Sequence, residues 1–301
     1  MKKSQTGLAL ALSAMLCVSL FSGCMATAKA AQPKGQAGAN KTQTVQEMTS
    51  NGCTIRLKSA RTDGHVARIL LGIEAPESTR FPTEETTQIG FFNYGGTFTN
   101  DSAAPANASL STAIVDDGDG KANTVNMQME FWAEGSSGKP VYAKNSVWKL
   151  NLVDLQATRW DANTQSSEVT TLADGAWEFS VRFDDTNVDL DELELISSPV
   201  EAKASVGFRE NGEDVMETFS ITSVKLRAYS SQITGKALSG ASVPEGAAPD
   251  FYTWPGHQTC AVMKDGTQVK LHHDGNQQPI DLSQVDHVLL ADGTKLPVPQ
   301  K

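Results

Sequence analysis

Carboxylates and histidines are the residues of this chain that could bind a metal ion. Asp116-Asp117-Gly118-Asp119 with Asn123 offers oxygen ligands for calcium, but the spacing differs from an EF-hand loop, which favours a solvated hairpin turn. A second acidic run, from 184 to 194, is interpreted first as a surface segment between domains. His272 and His273 are adjacent, so on a strand without a bulge they point to opposite faces and cannot share an ion. We therefore predict neither a metal site nor a cofactor.

Nucleophilic and acid–base motifs are the next candidates for chemistry. Ser136-Ser137-Gly138-Lys139 satisfies the Ser-x-x-Lys pattern of penicillin-interactive enzymes, but its companion Ser-Asp-Asn and Lys-Thr-Gly motifs are missing from the sequence. The sequence also contains no Gly-x-Ser-x-Gly, His-Glu-x-x-His or phosphate-binding loop. A carboxylate pair for glycoside hydrolysis depends only on proximity in space, so that rival function stays open. We predict no catalytic residues and no enzymatic activity.

Four aromatic residues are the candidates for binding a ligand. They are Trp132, Trp160, Tyr252 and Trp254, which lie in polar surroundings, on the polar face of a predicted strand or in a predicted loop. Exposed aromatic rings can stack on sugars or anchor a protein partner. Packing against a neighbouring domain is the competing interpretation, and we favour it.

The N-terminus has the organisation of an export signal. Met1-Lys2-Lys3 precedes an apolar run from 8 to 21, which is too short to span a membrane. The residues ending at Cys24 resemble a bacterial lipobox, in which the cysteine is lipidated, although Phe21 occupies the usual leucine position. Ala28-Lys29-Ala30 instead fits ordinary signal peptidase. We predict a signal within 1–30, lipid on Cys24 at the outer face of the cytoplasmic membrane, and free secretion if cleavage follows Ala30.

Charge and composition narrow the choice of partners. The formal net charge is −10, and removal of the signal with Lys2 and Lys3 makes it −12. An acidic protein is repelled by phosphate backbones and by anionic lipid, so we predict no nucleic acid and no membrane contact except through the N-terminal lipid. Residues 31–46, which are mostly small and polar, are predicted to form a flexible tether. Beyond the signal, Cys53 and Cys260 are expected to be buried free thiols.

Alternating apolar residues predict strands in residues 47–185. Cys53, Ile55 and Leu57 share one face of a strand, and a turn at Asp63-Gly64 leads to a second alternating run ending before Pro76. Further alternating runs begin at Val125, at Trp148 and, after Asp174-Gly175, at Trp177. No segment has a sustained helical period with caps, so we expect little helix. Several short strands between turns indicate an antiparallel β-sandwich.

Residues 186–301 repeat this pattern. Strands are predicted on both sides of Asn211-Gly212 and in hairpins near 261–271 and 287–298, with one helical turn capped by Asp281. Residues 235–249 are predicted to be an exposed loop. The predicted fold class is all-β, with two consecutive antiparallel β-sandwich (immunoglobulin-like) domains, 47–185 and 186–301, after the signal peptide and tether.

Three stretches resemble a known family. They are the hairpin from Gly52 to Pro76, Asp174-Gly175-Ala176-Trp177-Glu178-Phe179, and the tail from Pro279 to Thr294. Together they resemble an uncharacterised extracytoplasmic domain pair of Gram-positive bacteria, a domain of unknown function found in anti-sigma-factor-like membrane proteins. We recognise no cytoplasmic regulatory segment or membrane span in this sequence, so we do not expect signalling to a sigma factor to carry over. The family supplies no catalytic residues.

These observations favour a non-enzymatic, exported and lipid-anchored cell-surface protein. It would act as an extracellular sensing or binding module for an unknown ligand or envelope partner. A secreted glycan-active hydrolase and a passive envelope or adhesion protein are the alternatives. A cleft with two acids about 5–10 Å apart would favour the hydrolase, and self-association without a small ligand would favour the adhesion protein.

Overall fold

Antiparallel β-strands form nearly all the regular structure of this chain. The computed structural model describes residues 46–84, 86–98, 108–115, 118–133, 140–161, 164–196, 198–208, 214–238, 250–254, 257–272, 275–276 and 278–299. Within these ranges every ladder between named strands is antiparallel, and the helical structure is one 3-10 turn at Leu282–Gln284. The predicted all-β class and the scarcity of helix are therefore confirmed.

Two sheets make up the first half of the described chain. Five strands pair in the order β1-β2-β3-β6-β5, and three others pair in the order β4-β7-β8. Their bounds are β1 Gln46–Ser50, β2 Cys53–Thr62, β3 Val66–Glu74, β4 Thr87–Phe98, β5 Ala108–Val115, β6 Thr124–Ala133, β7 Val147–Asp161 and β8 Ser166–Arg182.

The predicted hairpin at the start of the fold is confirmed. In β2 and β3, Ile55 lies opposite Ile73 and Leu57 opposite Leu71, so these four side chains share the face that lines the first core. The tight turn that joins them passes through Gly64, whose φ of +90° favours a residue without a Cβ. Alternation thus sets the register of β2 against β3, because a shift by one residue would turn these four side chains away from the core.

One hydrophobic core lies between the two sheets. It contains the alternating residues of β2, β3 and β6 from one side and those of β4, β7 and β8 from the other. Trp177 is fully buried there, and its ring meets Phe91 edge-to-face with centroids 6.1 Å apart. Its indole Nε1–H donates to the carbonyl oxygen of Cys53 at 3.2 Å. Strand β8 therefore packs on the β2–β3 hairpin, as the alternation of its apolar residues predicts.

Side chains of β1 cover the open edge of β8. Gln46 accepts a hydrogen bond from the amide of Ser180 at 2.9 Å and donates its own amide to the Ser180 carbonyl at 2.6 Å. Ser50 accepts from the amide of Ala176 at 3.3 Å. Since unpaired strand edges invite aggregation, these contacts stabilise the fold and protect it at the same time.

The second half contains two four-stranded sheets and a short hairpin. The first sheet pairs β10-β11-β12, with β9 on β11; the second pairs β16-β15-β17-β18; and β13 pairs with β14. Their bounds are β9 Leu193–Glu194, β10 Val200–Phe208, β11 Asp214–Leu226, β12 Ser231–Ala237, β13 Thr253–Trp254, β14 His257–Gln258, β15 Cys260–Met263, β16 Gln268–Lys270, β17 Val285–Leu289 and β18 Lys295–Pro297. The predicted hairpins are present, and Asp281 caps the 3-10 turn by accepting from the amide of Ser283.

Two details of the sequence interpretation are wrong. Strand β8 does not begin after Asp174-Gly175 but continues through them from Ser166, with a shift of its register against β7 at this point. Gly235 does not start a loop but lies within β12, opposite Ile221. Gly235 is tolerated inside its strand because it is paired in the ladder, whereas Gly175 lies at the bulge, where the carboxylate of Asp154 accepts from its amide.

A second hydrophobic core lies between the sheets of the second half. It includes Phe219 and Phe251, whose rings meet edge-to-face with centroids 5.2 Å apart. Both cores belong to one compact unit, residues 41–301. The division into separate domains at 185/186 therefore stays a prediction.

Trp177 and Glu178 give a direct test of the one-sided strand. Trp177→Ala should lower the free energy of unfolding by about 3–5 kcal/mol, because it removes a buried ring and leaves a cavity. Glu178→Ala is the matched control, since its exposed carboxylate is 3.7 Å from Lys149 and should contribute at most about 0.5 kcal/mol. Urea unfolding followed by tryptophan fluorescence measures both. Equal losses would contradict the arrangement.

Candidate binding surface

The candidate surface is the face of the three-stranded sheet that points away from the core. The cross-strand register shows which residues lie on this face. Gly90, Gln156 and Thr171 lie opposite one another on the three strands. Residues two positions along each strand share a face, so the surface extends from this row in both directions. We call the part of this face around that row the outer face. It comprises Gln88, Gly90 and Phe92 of β4, Gln156, Thr158 and Trp160 of β7, and Ser167, Val169 and Thr171 of β8. The rest of the same face, which carries the ion pair of Lys149 and Glu178, lies beyond Phe92.

A bulge in β7 places Trp160 on this face. Trp148, Leu150 and Leu152 are buried, but after the bulge at Asp154 the buried positions become Leu155 and Ala157. Asp154 has a φ of +47°, and its Oδ1 accepts from the amide of Gly175 at 2.9 Å, which holds the extra residue in place. Without the bulge, Trp160 would point to the same side as the buried residues Trp148, Leu150 and Leu152.

The outer face combines exposed apolar side chains with neutral polar ones. Phe92 is 69% exposed, Val169 55% and Trp160 39%. The other members are glutamine, threonine, serine and glycine, so none of the nine carries a charge. At Gly90 an added Cβ would meet no atom within 4 Å, so the surface above this residue of β4 is open to solvent. A face of this composition can stack on a ring and hydrogen-bond to hydroxyl groups.

A small cleft lies on the other side of the same strands. Its volume is about 270 Å³, with Ala157 and Leu172 among its apolar lining and Arg80, Arg159, Glu84 and Glu168 at its rim. Arg159 Nη2 is 3.0 Å from Glu168 Oε2, and both side chains are more than half exposed. The volume is below the roughly 300–1,000 Å³ of ordinary ligand pockets, and one guanidinium is already paired. The cleft is therefore a weaker candidate than the outer face.

Trp132 lies where the two halves of the chain meet. Its ring packs against Val66, Ala228 and Tyr229, which form a small cluster separate from both cores. Trp132 is on the side of β6 that faces away from the first core, as its sequence position predicts. The structure therefore places it in packing between the two halves, the interpretation that the sequence favours over ligand binding.

A buried arginine and its partly buried acidic partner join the two halves of the chain beside Trp132. Arg68 Nε lies 2.7 Å from Glu130 Oε1, and the guanidinium also donates to the carbonyl of Asn276 and lies 5.0 Å above the ring of Tyr229. Burial lowers the pKa of the Arg68 guanidinium, while Glu130 opposes that shift. Burial also raises the pKa of the Tyr229 hydroxyl. Such a pair costs desolvation, so its contribution lies in fixing one arrangement of its partners.

Asp63 also joins the two halves of the chain. Its Oδ2 accepts from the amide of Tyr229 at 3.0 Å and from the hydroxyl of Ser230 at 2.6 Å. Its Oδ1 accepts from the amides of His65 and Val66 at 3.0 and 2.9 Å. One buried carboxylate thus closes its own turn and holds a turn of the second half, which the Asp-Gly pattern alone does not reveal.

Tyr252 does not provide an exposed ring. It is only 8% exposed within the second core, and its hydroxyl donates to the carbonyl of Ser231 at 3.0 Å. Burial raises the pKa of this hydroxyl to about 12. The loop interpretation of this stretch is wrong, because the chain forms the β13–β14 hairpin, in which Trp254 pairs with His257.

The metal candidates take structural roles where they are described. Among the described residues, no three or more histidine, cysteine or acidic side chains are grouped to hold an ion. Asp119 accepts from the amide of Lys121 and the hydroxyl of Thr124, as in an ordinary turn. In the acidic run, Glu192 forms ion pairs with Lys225 and Arg227 at 2.8 and 2.5 Å. These ion pairs lower the pKa of the Glu192 carboxylate, although burial opposes that shift.

The two described cysteines are buried free thiols, as expected. Burial raises the pKa of Cys53 to about 11 and also raises that of Cys260. Other predicted features lie outside the described residues, namely Cys24, the tether as far as residue 45, Asp116-Asp117, Ser136 to Lys139 and His273. The last residue of the predicted tether, Gln46, is instead the first residue of β1. The described residues include no helix with the length and apolar character of a membrane span.

Comparison with known proteins leaves the function open. No protein-family model and no curated protein matches the chain. Among solved structures, it is similar to "The crystal structure of the conserved domain protein from Bacillus anthracis", with 11% identity and a TM-score of 0.43. That similarity covers 86% of this chain and 81% of the other. A likeness this distant carries no argument.

Arg68 and Arg56 give a matched test of the junction. Arg68→Ala should lower the free energy of unfolding by about 3–5 kcal/mol, because it leaves the carboxylate of Glu130, which is only 14% exposed, without its cation. Arg56 also pairs with two acids, Glu47 at 2.5 Å and Glu74 at 3.0 Å, but at the surface. Arg56→Ala should therefore cost at most about 1 kcal/mol. Urea unfolding measures both, and a loss for Arg68→Ala no larger than the control's would contradict the structural role.

Proposed function

We propose that this protein is a non-enzymatic binding module on the bacterial cell surface. In this proposal it is exported, is anchored through lipid on Cys24, and consists of two consecutive immunoglobulin-like β-sandwich domains. It senses or binds an extracellular ligand or envelope partner through the outer face. Membership of the extracytoplasmic domain-pair family belongs to the same proposal and rests on the three motifs that carry the resemblance.

The exposed composition of the outer face is the observation that carries this proposal. A strand residue that points to solvent is ordinarily polar, so a phenylalanine, a tryptophan and a valine on one face need a reason. The three are carried by strands that pair in continuous antiparallel ladders, so the sheet sets their spacing before any ligand arrives. Preorganised surfaces lose little conformational entropy on binding.

Glycan hydrolysis remains the rival function, and one observation favours it. Glu84 and Glu168 both line the cleft beneath the outer face, and paired carboxylates are the usual machinery of glycosidases. Against it, Glu168 is more than half exposed and paired with Arg159. Reducing ends released from an envelope polysaccharide, and lost in Glu168→Gln, would overturn the non-enzymatic proposal.

Binding should depend on Trp160. The purified mature protein should be retained by immobilised envelope extract, and Trp160→Ala should weaken retention about tenfold, because it removes the largest ring on the outer face. Leu190→Ala, which truncates a comparably exposed apolar residue on another segment, should leave retention unchanged. No retention of the unmodified protein would contradict a binding function, and equal retention of all three would exclude this surface.

The anchor is tested separately from the binding surface. Cys24→Ala should abolish lipid attachment, so the protein should leave the membrane fraction if cleavage after Ala30 takes over, or accumulate with its signal still attached. Cell fractionation and N-terminal mass spectrometry measure the outcome. A wild-type mature N-terminus at Ala31 would contradict lipidation.

A further inference from the structure

The ligand class follows from how the groups of the outer face are arranged. Gln88, Thr158 and Val169 form one cross-strand row, and Gly90, Gln156 and Thr171 form the next. Trp160 lies beyond the first row, where its amide donates to the carbonyl of Thr86 at 3.2 Å. Phe92 lies beyond the second row. Two aromatic rings therefore flank a central area of neutral side chains that can both donate and accept hydrogen bonds.

This arrangement suits an extended ligand. Phe92 lies level with Asp154, six residues from Trp160 along β7, which corresponds to about 20 Å at the rise of a strand. A monosaccharide or other small molecule cannot reach both rings at once. A linear chain that follows β7 would touch both rings and pass over Gly90, where no side chain rises from the sheet.

The chemistry of the groups selects sugars over peptides. A pyranose ring has an apolar C–H face that packs on an indole or phenyl ring, and its hydroxyl groups match glutamine amides and threonine hydroxyls. An extended peptide gains most of its affinity from backbone pairing at a sheet edge. The face of a sheet offers no such pairing, because its backbone groups are already used within the ladders.

Charge decides between neutral and charged polysaccharides. The protein carries a formal net charge of −10, which repels an anionic polymer. None of the nine residues of the outer face is a lysine or arginine that could offset this repulsion, and none is acidic to hold a cationic chain locally. The charged pair farther along the same side of the sheet, Lys149 and Glu178, is already neutralised by its own contact at 3.7 Å. Complementarity in charge therefore favours an uncharged chain.

We propose that the outer face binds a linear, uncharged polysaccharide along β7, with Trp160 and Phe92 stacking on sugar rings and Gln88 and Gln156 contacting hydroxyl groups between them. This inference rests on the proposed binding function and supplies its ligand class. Val169 and the threonines complete the contact surface.

Affinity electrophoresis tests the ligand class. The mature protein is run through native gels that contain a soluble uncharged β-glucan, mannan or galactan, with the polyanion pectate as comparator. At least one neutral polymer should retard the protein, and pectate should not. Trp160→Ala and Phe92→Ala should each raise the dissociation constant about tenfold, whereas Leu190→Ala should not change it. Unchanged melting temperatures would show that the variants remain folded.

The outcomes separate this inference from the proposed function. Failure of all three neutral polymers to retard the protein, or equal retardation of the Trp160→Ala variant, overturns the polysaccharide site. If envelope extract still retains the unmodified protein in that case, the binding function survives and only the ligand class is wrong. If pectate retards the protein as strongly as a neutral polymer, the charge argument is wrong and the inference falls.

Discussion

Packing of the three-stranded sheet on the opening hairpin is the contact on which the first half depends. Trp177 makes that contact from β8, with its ring against Phe91 and its indole N–H on the carbonyl of Cys53. Because the core takes Ile89 and Leu155 from β4 and β7, the residues next to them point to the outer face. The ladders continue this alternation past the end of the core to Trp160 and Val169.

The strands of this fold are largely predictable from alternation. The hairpin at Gly64 and the Trp177 run follow it closely, because every second side chain of these strands enters the first core. The prediction fails where pairing overrides local preference. Gly235 has the composition of a loop but lies opposite Ile221 in a ladder, and Asp174-Gly175 lies inside a long strand. Neighbouring strands provide those hydrogen bonds, and no single segment reveals its neighbours.

The candidate surface is less predictable. Trp160 is recognisable as a candidate from its polar surroundings, but its face depends on the bulge at Asp154, which the sequence does not signal. Phe92 could have been found, because adjacent residues of a strand point to opposite sides and Phe91-Phe92 cannot both be buried in one core. Tyr252 looks exposed in sequence because a turn follows it, whereas its burial comes from distant parts of the chain.

Nuclear magnetic resonance of the isotope-labelled mature protein tests the central claim most directly. During titration with a polysaccharide or extract fraction that the protein retains, the Trp160 indole N–H, the side-chain amides of Gln88 and Gln156, and the backbone amide of Val169 should shift together with one dissociation constant. This result is predicted because all four lie on one face of one sheet. Shifts confined to the second half of the chain, with these four signals unchanged, would contradict binding through the outer face.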